Sequence, residues 1–406
     1  MKNDLELLKE AHKKSFNFFY NEICKEQIGY GLIYDNSSNK NVASIAASGF
    51  ALSSICIGVE CGYISRNEGL EIAIKSLETL LQIEHMNGFF VHFIEINTLK
   101  KYRKTEYSTI DTALCLNGVI TVDSYFKDER ISKMANHLIE RVDYEWLVHE
   151  HENKKYFHMA YNPESDGAYA NGRPGFISRW DMTAEQLMMY VFAANNIDEK
   201  LAIELYNSFD RPIGEYQGIK QVHSPGNALF IYQYPLAWLD LREFVDRFNF
   251  SWYQNTINAC RICYNFCVDM KGKYRSYHEQ SFGISASDTP NGYRVFGGPP
   301  RKDESYNTDG TVCVHAFLGS LPFIPQESID TFKWASTNIG GLDGEYGLYD
   351  AYNIDSNWVS NRYYGIDKGL ELLMLDAYLY KTVWSSYIKH PIITNGLRVL
   401  GFKKNK

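Results

Sequence analysis

Four aspartates between Gly283 and Gly369 lie where a carboxylate can be presented to a ligand. Each has glycine, proline or asparagine within three positions, as residues of turns and helix ends do: Asp288, Asp309, Asp350 and Asp367. One such aspartate alone is usually an ordinary cap, but large rings are interleaved with them at Tyr293, Tyr346, Tyr349, Tyr352, Trp358, Tyr363 and Tyr364. Solvated loops do not need so many large rings. The stretch therefore predicts a binding or catalytic surface built on loops.

A second cluster extends from Arg173 to Asn195. Apolar residues recur there at helical spacing together with Glu185, which predicts a helix from Met182 to Asn195 with Glu185 in its first turn. A carboxyl beside apolar neighbours either pairs with a cation, here Arg179, or keeps its proton and serves as a general acid. The spacing leaves both interpretations open.

Asp111 lies at the start of another predicted helix. An acid in this position interacts favourably with the helix dipole, by about 0.3–1 kcal/mol. The same carboxylate could instead face a pocket. For Asp111 alone, the dipole interpretation is favoured.

The cysteines and histidines do not form a recognisable metal motif. Cys260, Cys263 and Cys267 follow the spacing i, i+3, i+7 of one helix face, so we interpret them as small core residues and not as ligands of an iron–sulfur cluster. The histidines at positions 85, 92, 223 and 315 match no zinc-binding spacing, and no glycine-rich phosphate loop occurs. The sequence therefore predicts neither a metal nor a cofactor.

Composition narrows the class of protein further. The 406 residues carry a net charge of −8 and no basic block, which argues against nucleic acid or an anionic membrane as a partner. No apolar run reaches membrane-spanning length. Thirty tyrosines suit the apolar faces and hydroxyl edges of sugars, so an oligo- or polysaccharide is the expected partner, and the oligomeric state is left open.

The start of the chain and its thiols bear on the compartment. MKNDLELLKEAHKK has charges where a signal peptide needs an apolar run, and the eight cysteines are scattered, which favours reduced thiols. The expectation is a cytoplasmic protein, or a periplasmic or secreted one if a signal was trimmed.

The elements that position these residues are mostly helices, with few alternating strands. The predicted helices are Leu5–Ile23, Ser44–Glu60, 66–82 (opened by a Ser65/Glu68 capping box), Thr109–Tyr125, Arg130–Val142, Met182–Asn195, Glu199–Ser208, Trp252–Asp269, Val312–Leu318, Gln326–Asn338 and Gly369–Tyr387. Gly88–Ile96 and Ile231–Tyr234 are the candidate strands. No linker divides the chain, so one mainly α domain over 1–406 is expected. Repeated helical hairpins form an open solenoid or a closed toroid, and acidic loops at several helix ends favour the toroid.

Nine segments, taken in order, resemble a bacterial family. They are SIAASGFALSSICIGVECGYIS, NGFFVHF, YSTIDTALCLNG, ISRWDMTAEQLMMYV, LFIYQYPLAWLDLR, ASDTPNGYRVFGGPP, DGTVCVHAFLGSLPFIP, GEYGLYDAYN and YYGIDKGLELLML. The family is that of the "putative glucoamylase" proteins, which include endo-β-1,2-glucanases of glycoside hydrolase family 144. The resemblance implies an (α/α)6 toroid with long loops over one end and an inverting hydrolysis of a β-linked glucan, with β-1,2-glucan as the first expectation.

The resemblance also implies roles for individual residues. Glu185 corresponds to the general acid of the family's RW-x-x-x-x-E motif, Asp367 to the residue that activates water, and Asp111 to an acid of the cleft. The remaining residues expected to hold the sugar are Arg179, Trp180, Asp288, Arg294, Trp358 and Tyr364.

The chain departs from the family pattern at several positions. Ser108 and Asp111 stand where the glucanases have an Asp-x-x-Glu pair, Lys368 replaces a glutamine, and Asp376 and Ala377 replace a frequent Glu-Asn. These differences bear on linkage specificity more than on fold. Two alternatives to a hydrolase therefore stay open, a transglycosylase on the same scaffold and a carbohydrate-binding protein that has lost catalysis.

Overall fold

The computed structural model describes residues 3–26, 28–165, 173–301 and 305–405. Its helices are α1 Asp4–Glu22, α2 Ile45–Glu60, α3 Arg66–Leu80, α4 Thr109–Phe126, α5 Glu129–Glu140, α6 Leu187–Ala193, α7 Glu199–Ser208, α8 Phe230–Trp238, α9 Trp252–Asp269, α10 Val314–Gly319, α11 Pro325–Asn338, α12 Gly365–Leu379, α13 Thr382–Tyr387 and α14 Pro391–Val399. The expectation of a mainly α protein is confirmed. No helix within these ranges is both long and apolar enough to cross a membrane.

The strands are short and form small antiparallel sheets. They are β1 Val42–Ser44, β2 His85–Met86, β3 Phe89–Phe90, β4 Phe93–Glu95, β5 Lys100–Lys101, β6 Tyr107–Ser108, β7 Val148–His151, β8 Lys154–Phe157, β9 Ala160–Tyr161, β10 Phe176–Ile177, β11 Ile213–Tyr216, β12 Ile219–Val222, β13 Phe244–Val245, β14 Ala286–Ser287, β15 Arg294–Val295, β16 Val312–Cys313, β17 Asp343–Gly344, β18 Gly347–Leu348, β19 Ala351–Asn353, β20 Trp358–Val359 and β21 Lys403–Lys404. The sheets β1-β4-β5, β10-β9-β6 and β16-β19-β20 have three strands, and the others have two.

The core lies among six helices, α2, α4, α6, α8, α10 and α12, which are buried on almost every side. Helix α2 packs against α4 and α12, α4 against α6, and α10 against α8 and α12. The closest crossing joins α2 and α4 at Gly49 and Gly118. A Cβ added to Gly118 would lie 2.1 Å from the Gly49 carbonyl oxygen, so neither glycine has room for a side chain.

The remaining long helices, among them α1, α3, α5, α7, α9 and α11, bury one face and expose the other, as amphipathic helices do. Their starts follow ordinary capping chemistry. Asn3 and Glu6 form a full capping box on α1. The capping box predicted for α3 is only half formed, because Ser65 accepts the backbone N–H of Glu68 at 3.2 Å while the Glu68 carboxylate accepts the Tyr20 hydroxyl at 2.5 Å.

Short strands lead directly into three core helices. β1 ends where α2 begins, β6 where α4 begins, and β16 where α10 begins. Loops and small sheets therefore gather around the N-terminal ends of these helices, where unpaired backbone N–H groups and the positive end of the helix dipole favour acidic side chains.

Several helix predictions match the structure closely, and three predictions were wrong. Glu199–Ser208 and Trp252–Asp269 are found as predicted. Ile231–Tyr234 is not a strand but part of α8, since a short apolar run does not distinguish a strand from a buried helix. The segment Gly369–Tyr387 is two helices, interrupted at Tyr380 and Lys381, and the helix expected from Met182 begins only at Leu187.

The predictions for the segment Gly88–Ile96 and for the three clustered cysteines agree with the structure. Gly88–Ile96 contains β3 and β4. Cys260, Cys263 and Cys267 are buried on α9, as predicted for core residues.

Candidate active site

The acidic residues singled out in the sequence lie at the N-terminal ends of core helices. Asp111 and Asp367 are each the third residue of a helix, α4 and α12 respectively. Glu185 lies two residues before α6, in a bend and not in a first helical turn as predicted. Gln186, the N-cap residue of α6, makes no side-chain capping hydrogen bond, and its amide Nε2 donates to the Met182 carbonyl at 2.7 Å.

Tyr234 on α8 connects these acids. Burial raises its pKa far above the usual value, and the charges of Asp367, Glu185, Asp111 and Asp350 raise it further. Four carboxyl groups therefore lie within electrostatic range of one buried phenol. Phe50 and Phe230 pack against the Tyr234 ring, at centroid distances of 5.9 and 5.2 Å, and hold it in place.

We call the first group of charges the His92 side; it comprises Asp35, His92, Glu106, Asp111 and Glu185. Burial raises the pKa of Glu185 to about 7, and the nearby charge of Asp111 contributes to the rise. A carboxyl with this pKa carries its proton through much of the neutral range, as a general acid must. Glu185 remains half-buried, so it is shielded from bulk water and still open to a ligand.

His92 is placed between two carboxylates. Its Nδ1 lies 2.8 Å from Glu106 Oε1, and its Nε2 lies 3.5 Å from Asp111 Oδ1. Burial alone would lower the pKa of His92, but Asp111, Glu106 and Asp35 raise it to about 9. His92 is therefore a cation at neutral pH. Its charge offsets part of the negative charge that faces Glu185.

Asp111 is also tied to the cap of its own helix. The Ser108 hydroxyl donates to Asp111 Oδ2 at 2.5 Å, and the Asp111 backbone N–H donates to Ser108 Oγ at 3.2 Å. Ser108 therefore caps α4 and orients the carboxylate three residues later. The serine that stands at the position of a family acid keeps a direct contact with the remaining acid.

We call the second group the Asp367 side; it comprises Asp288, Tyr293, His315, Asp350 and Asp367. Burial raises the pKa of Asp350 to about 6. Burial and the neighbouring Asp350 raise the pKa of Asp367 well above its usual value, and the two carboxyls share a hydrogen bond. Close carboxyls cannot both ionise easily, so the pair retains one proton and carries one negative charge near neutral pH.

Two further side chains approach Asp367. The Tyr293 hydroxyl donates toward both carboxyl oxygens, at 3.0 Å to Oδ1 and 2.9 Å to Oδ2. Nδ1 of His315 lies 3.4 Å from Asp367 Oδ1. Burial lowers the pKa of His315 to about 3, so its ring is neutral, and within the described residues neither ring nitrogen has a hydrogen-bond partner.

Asp288 anchors the loops around the pair. Its buried carboxylate accepts two hydrogen bonds from the Arg362 guanidinium, one from Ser360 Oγ at 2.7 Å and one from the Tyr364 hydroxyl at 3.3 Å. Its backbone N–H donates to Asp350 Oδ2 at 2.6 Å. The predicted contact of Asp288 with sugar stays a prediction. In the structure the oxygens of Asp288 hold Arg362 and Tyr364, and the backbone holds Asp350.

The other predicted sugar-binding residues occupy different environments. Trp180 is buried, and its indole N–H donates to Thr109 Oγ1 at 3.0 Å, so it ties the segment before Glu185 to α4. Arg179 pairs with Asp181 at 2.7 Å and not with Glu185. Arg294 is exposed on β15. Trp358 lines a separate cavity of about 250 Å³ with Trp334.

Sequence reasoning did not assign His92, Glu106, Tyr234 or His315 to the site, although it noted Asp350 and Tyr293. The sequence suggests a role for histidines only through metal-binding motifs, and no spacing rule relates His92 to Asp111, which lies 19 positions away. Tyr234 was not identified because the sequence predicted a strand, and not a core helix, at Ile231–Tyr234. The third position of a core helix, where Asp111 and Asp367 lie, was the available local signal, and none of these four residues occupies it.

Two groups among the described residues bring possible metal ligands within 4.8 Å of one another. One is His92, Glu106 and Asp111; the other is His315, Asp350 and Asp367. In both, the charges already have internal partners: the His92 cation in the first group and the shared proton in the second. The hydrogen bonds described above account for both arrangements.

Comparison with known proteins gives one family match and several similar structures. The family model described as "Putative glucoamylase" matches residues 178–391, a range that contains Glu185, Asp350 and Asp367. A protein of Parabacteroides distasonis described as an exo beta-1,2-glucooligosaccharide sophorohydrolase (non-reducing end) is 24% identical over 97% of this chain. The chain spans 58% of the length of that relative.

Solved structures share the fold over the whole chain. A "putative glucoamylase" from Bacteroides uniformis has a TM-score of 0.86 at 24% identity, covering 100% of this chain and 98% of the other. An endo-beta-1,2-glucanase from Chitinophaga pinensis, solved with sophorotriose and glucose, has a TM-score of 0.86 at 22% identity, covering 100% and 99%. At these identities the likeness shows a common fold.

Proposed function

Because the chain belongs to the family described as "Putative glucoamylase", we propose that it is a glycoside hydrolase acting on a β-linked glucan, with β-1,2-glucan as the first candidate. The observation that carries the proposal is that Glu185 and the Asp350–Asp367 pair lie within electrostatic range of the same buried phenol, Tyr234. One protonated and one ionised carboxyl facing the same space is the requirement for acid–base hydrolysis of a glycosidic bond.

We propose further that the six core helices form the inner ring of an (α/α)6 toroid and that residues 1–406 are one domain. The packing of α2 against both α4 and α12 supports a closed ring. So do the TM-scores of 0.86 to the two solved structures. The N-terminal ends of α4 and α12 would then open on one cleft, together with the bend before α6.

In the proposed reaction Glu185 is the general acid and Asp367, within its pair, is the general base. Glu185 gives its proton to the leaving oxygen while a water molecule, losing a proton to the pair, attacks the anomeric carbon from the opposite face. This sequence inverts the configuration, and it requires about 6.5–9.5 Å between the two carboxyls to admit the water.

The remaining residues bind or position the substrate in this proposal. Asp111, which faces Glu185, is an acid of the cleft whose carboxylate accepts sugar hydroxyls. Tyr293 is 36% exposed and its ring packs on the buried Tyr364, with ring centroids 4.7 Å apart, so Tyr293 presents the face against which a pyranose ring stacks and Tyr364 supports it. Arg294 is exposed on the same hairpin and extends the binding surface.

The test is an assay of reducing ends and product length on β-1,2-glucan beside β-1,3-, β-1,4-, β-1,6- and α-linked glucans. We expect shorter products from β-1,2-glucan and none from the α-linked polymers. Products longer than the substrate would indicate transglycosylation. Binding without any product would indicate a carbohydrate-binding protein. NMR of the first product distinguishes inversion from retention, and retention would contradict the assigned mechanism.

A further inference from the structure

The Tyr293 hydroxyl is a hydrogen-bond donor to the Asp367 carboxyl. It lies 3.0 and 2.9 Å from the two carboxyl oxygens, within hydrogen-bond range of both. The Asp367 residue itself is almost fully buried, with 3% of its surface exposed, whereas Tyr293 is 36% exposed. Tyr293 is therefore the more exposed partner of this hydrogen bond.

Other groups also surround the Asp367 carboxyl. His315 lies on one side with Nδ1 at 3.4 Å, and Asp350 shares a hydrogen bond with it on another. Lys368, the next residue, directs its ammonium away to Glu371 at 2.8 Å and to the Leu348 carbonyl at 3.1 Å. Among these neighbours only Tyr293 is on an exposed segment.

The position of Tyr293 is fixed by its surroundings. It directly precedes β15, which pairs with β14 in a hairpin, and the turn before it is closed by hydrogen bonds between Thr289 and Gly292. Its ring packs at 4.7 Å against Tyr364, whose hydroxyl donates to the buried Asp288. The phenol is therefore held by packing against Tyr364, which is hydrogen-bonded to Asp288, and the backbone N–H of Asp288 in turn holds Asp350.

We propose that Tyr293 is a catalytic proton relay between the attacking water and Asp367. Its phenol oxygen accepts a proton from the water as its own proton passes to Asp367. The water oxygen forms the new bond to the anomeric carbon, the bond to the leaving oxygen breaks, and Glu185 protonates that oxygen. Tyr293 ends the step as a neutral phenol, so the pair gains one proton and Glu185 loses one.

The relay rests on the proposed hydrolase function, and it predicts a result that direct activation of water by Asp367 does not. If Asp367 takes the proton from water directly, removal of the Tyr293 hydroxyl leaves room for a water molecule and should not slow the reaction. If Tyr293 is a relay, the same removal takes away the path of the proton. Removing one oxygen atom therefore gives opposite results under the two arrangements.

The test compares Tyr293→Phe with a matched control, Tyr216→Phe. Tyr216 lies on another hairpin, where its hydroxyl donates to Asp269 Oδ2 at 2.6 Å, so the control removes the same kind of hydrogen bond outside the site. We expect Tyr293→Phe to lower kcat at least ~10²-fold, as loss of a general acid–base group does, with KM and melting temperature little changed. The control should keep wild-type kcat.

The pH profile separates a relay from a residue that only positions Asp367. The Tyr293 hydrogen bond holds down the pKa of Asp367, so the substitution moves the acid limb of the kcat profile to higher pH in either case. For a relay, the loss of kcat persists on the plateau above that limb. Recovery of wild-type kcat on the plateau would overturn the relay and leave a positioning role.

Two other outcomes would overturn the proposal. Wild-type or increased kcat in Tyr293→Phe would show that water reaches Asp367 directly. Absence of product from the wild-type protein on every glucan would remove the hydrolase function and the relay with it. The first outcome leaves the hydrolase function intact, so the two failures are distinguishable.

Discussion

The His92 side is half open and balanced by a cation, whereas the Asp367 side is closed and balanced by a retained proton. On the first, His92 lies between Glu106 and Asp111; although burial alone would raise the pKa of Glu106, the hydrogen bond and charge of His92 lower it below its usual value. On the second, no lysine or arginine of the described residues forms an ion pair with Asp350 or Asp367, although the charge of Lys368 lowers the pKa of Asp350, and burial leads the two acids to share one proton. Two ways of grouping carboxylates thus give different protonation states at the same pH.

The largest effect is expected from removing the acid of the His92 side. Glu185→Gln keeps the shape of the side chain and removes its transferable proton. We expect kcat on β-1,2-glucan to fall at least ~10²-fold, with binding of oligosaccharide products, measured by calorimetry, little changed. Near-normal turnover would exclude Glu185 from the mechanism and break the contrast between the two sides.

A second prediction concerns the pH dependence of kcat/KM. The Asp350–Asp367 pair must be ionised, so activity rises with pH through the acid limb, where Asp350 has a pKa of about 6. Glu185 must be protonated, so activity falls above its pKa of about 7. We expect a narrow bell, with about a tenfold loss per pH unit beyond either limb. A flat profile between pH 5 and 8 would contradict these assignments.

A smaller effect is expected from His92→Gln. Without the imidazolium, the negative charge near Glu185 is less compensated, so the pKa of Glu185 rises and the alkaline limb moves to higher pH. We expect kcat/KM to fall by about tenfold, within the range expected when one charged partner of a close pair is lost. His137→Gln, an exposed histidine on α5, is the control. An unmoved alkaline limb would show that His92 does not act on Glu185.

The smallest effect is on stability and comes from a buried acid far along α12 from the cleft. Burial raises the pKa of Asp376 to about 7, above its value in the unfolded chain. The folded state therefore binds the extra proton, and this group lowers stability as pH rises toward 7, by at most about 1.4 kcal/mol per unit. We expect Asp376→Asn to reduce the loss of stability between pH 5 and 7.5 in urea titrations.

An unchanged slope in Asp376→Asn would mean that the site acids dominate the pH dependence of stability. Glu185 and the Asp350–Asp367 pair have raised pKa values as well, so they contribute a slope of the same sign. Comparing Asp376→Asn with Glu185→Gln separates the two contributions.

The helices could be predicted from the sequence where one face is polar, and less well where none is. The amphipathic α7 and α9 were placed correctly because their polar residues mark a period of 3.6. Helix α8 is apolar except for the buried Gln233 and contains Pro235, so it shows no polar face at helical spacing and the strand prediction was wrong. Tyr234, which lies on this helix, was therefore not predicted to belong to the site.

For the site, the positions of carboxylates could be predicted but their partners could not. Turn and cap chemistry pointed to Asp111, Asp350 and Asp367, which are local signals. The pairing of His92 with Asp111, and of Tyr293 with Asp367, joins residues 19 and 74 positions apart. Such contacts depend on tertiary packing. The same limit applied to Trp180, whose burial no local pattern revealed.

The Asp288–Arg362 contact has a consequence for changing the range of glycans bound by the protein. Asp288 is wholly buried and Ser287 beside it is too, while Arg294 and Val295 on the paired strand are exposed. The hairpin thus pairs a buried strand with two exposed positions, Arg294 and Val295. Libraries that randomise Arg294 and Val295 and keep Tyr293 should alter substrate length and branching tolerance while the catalytic carboxyls keep their geometry, so new specificities can evolve here without rebuilding the reaction centre.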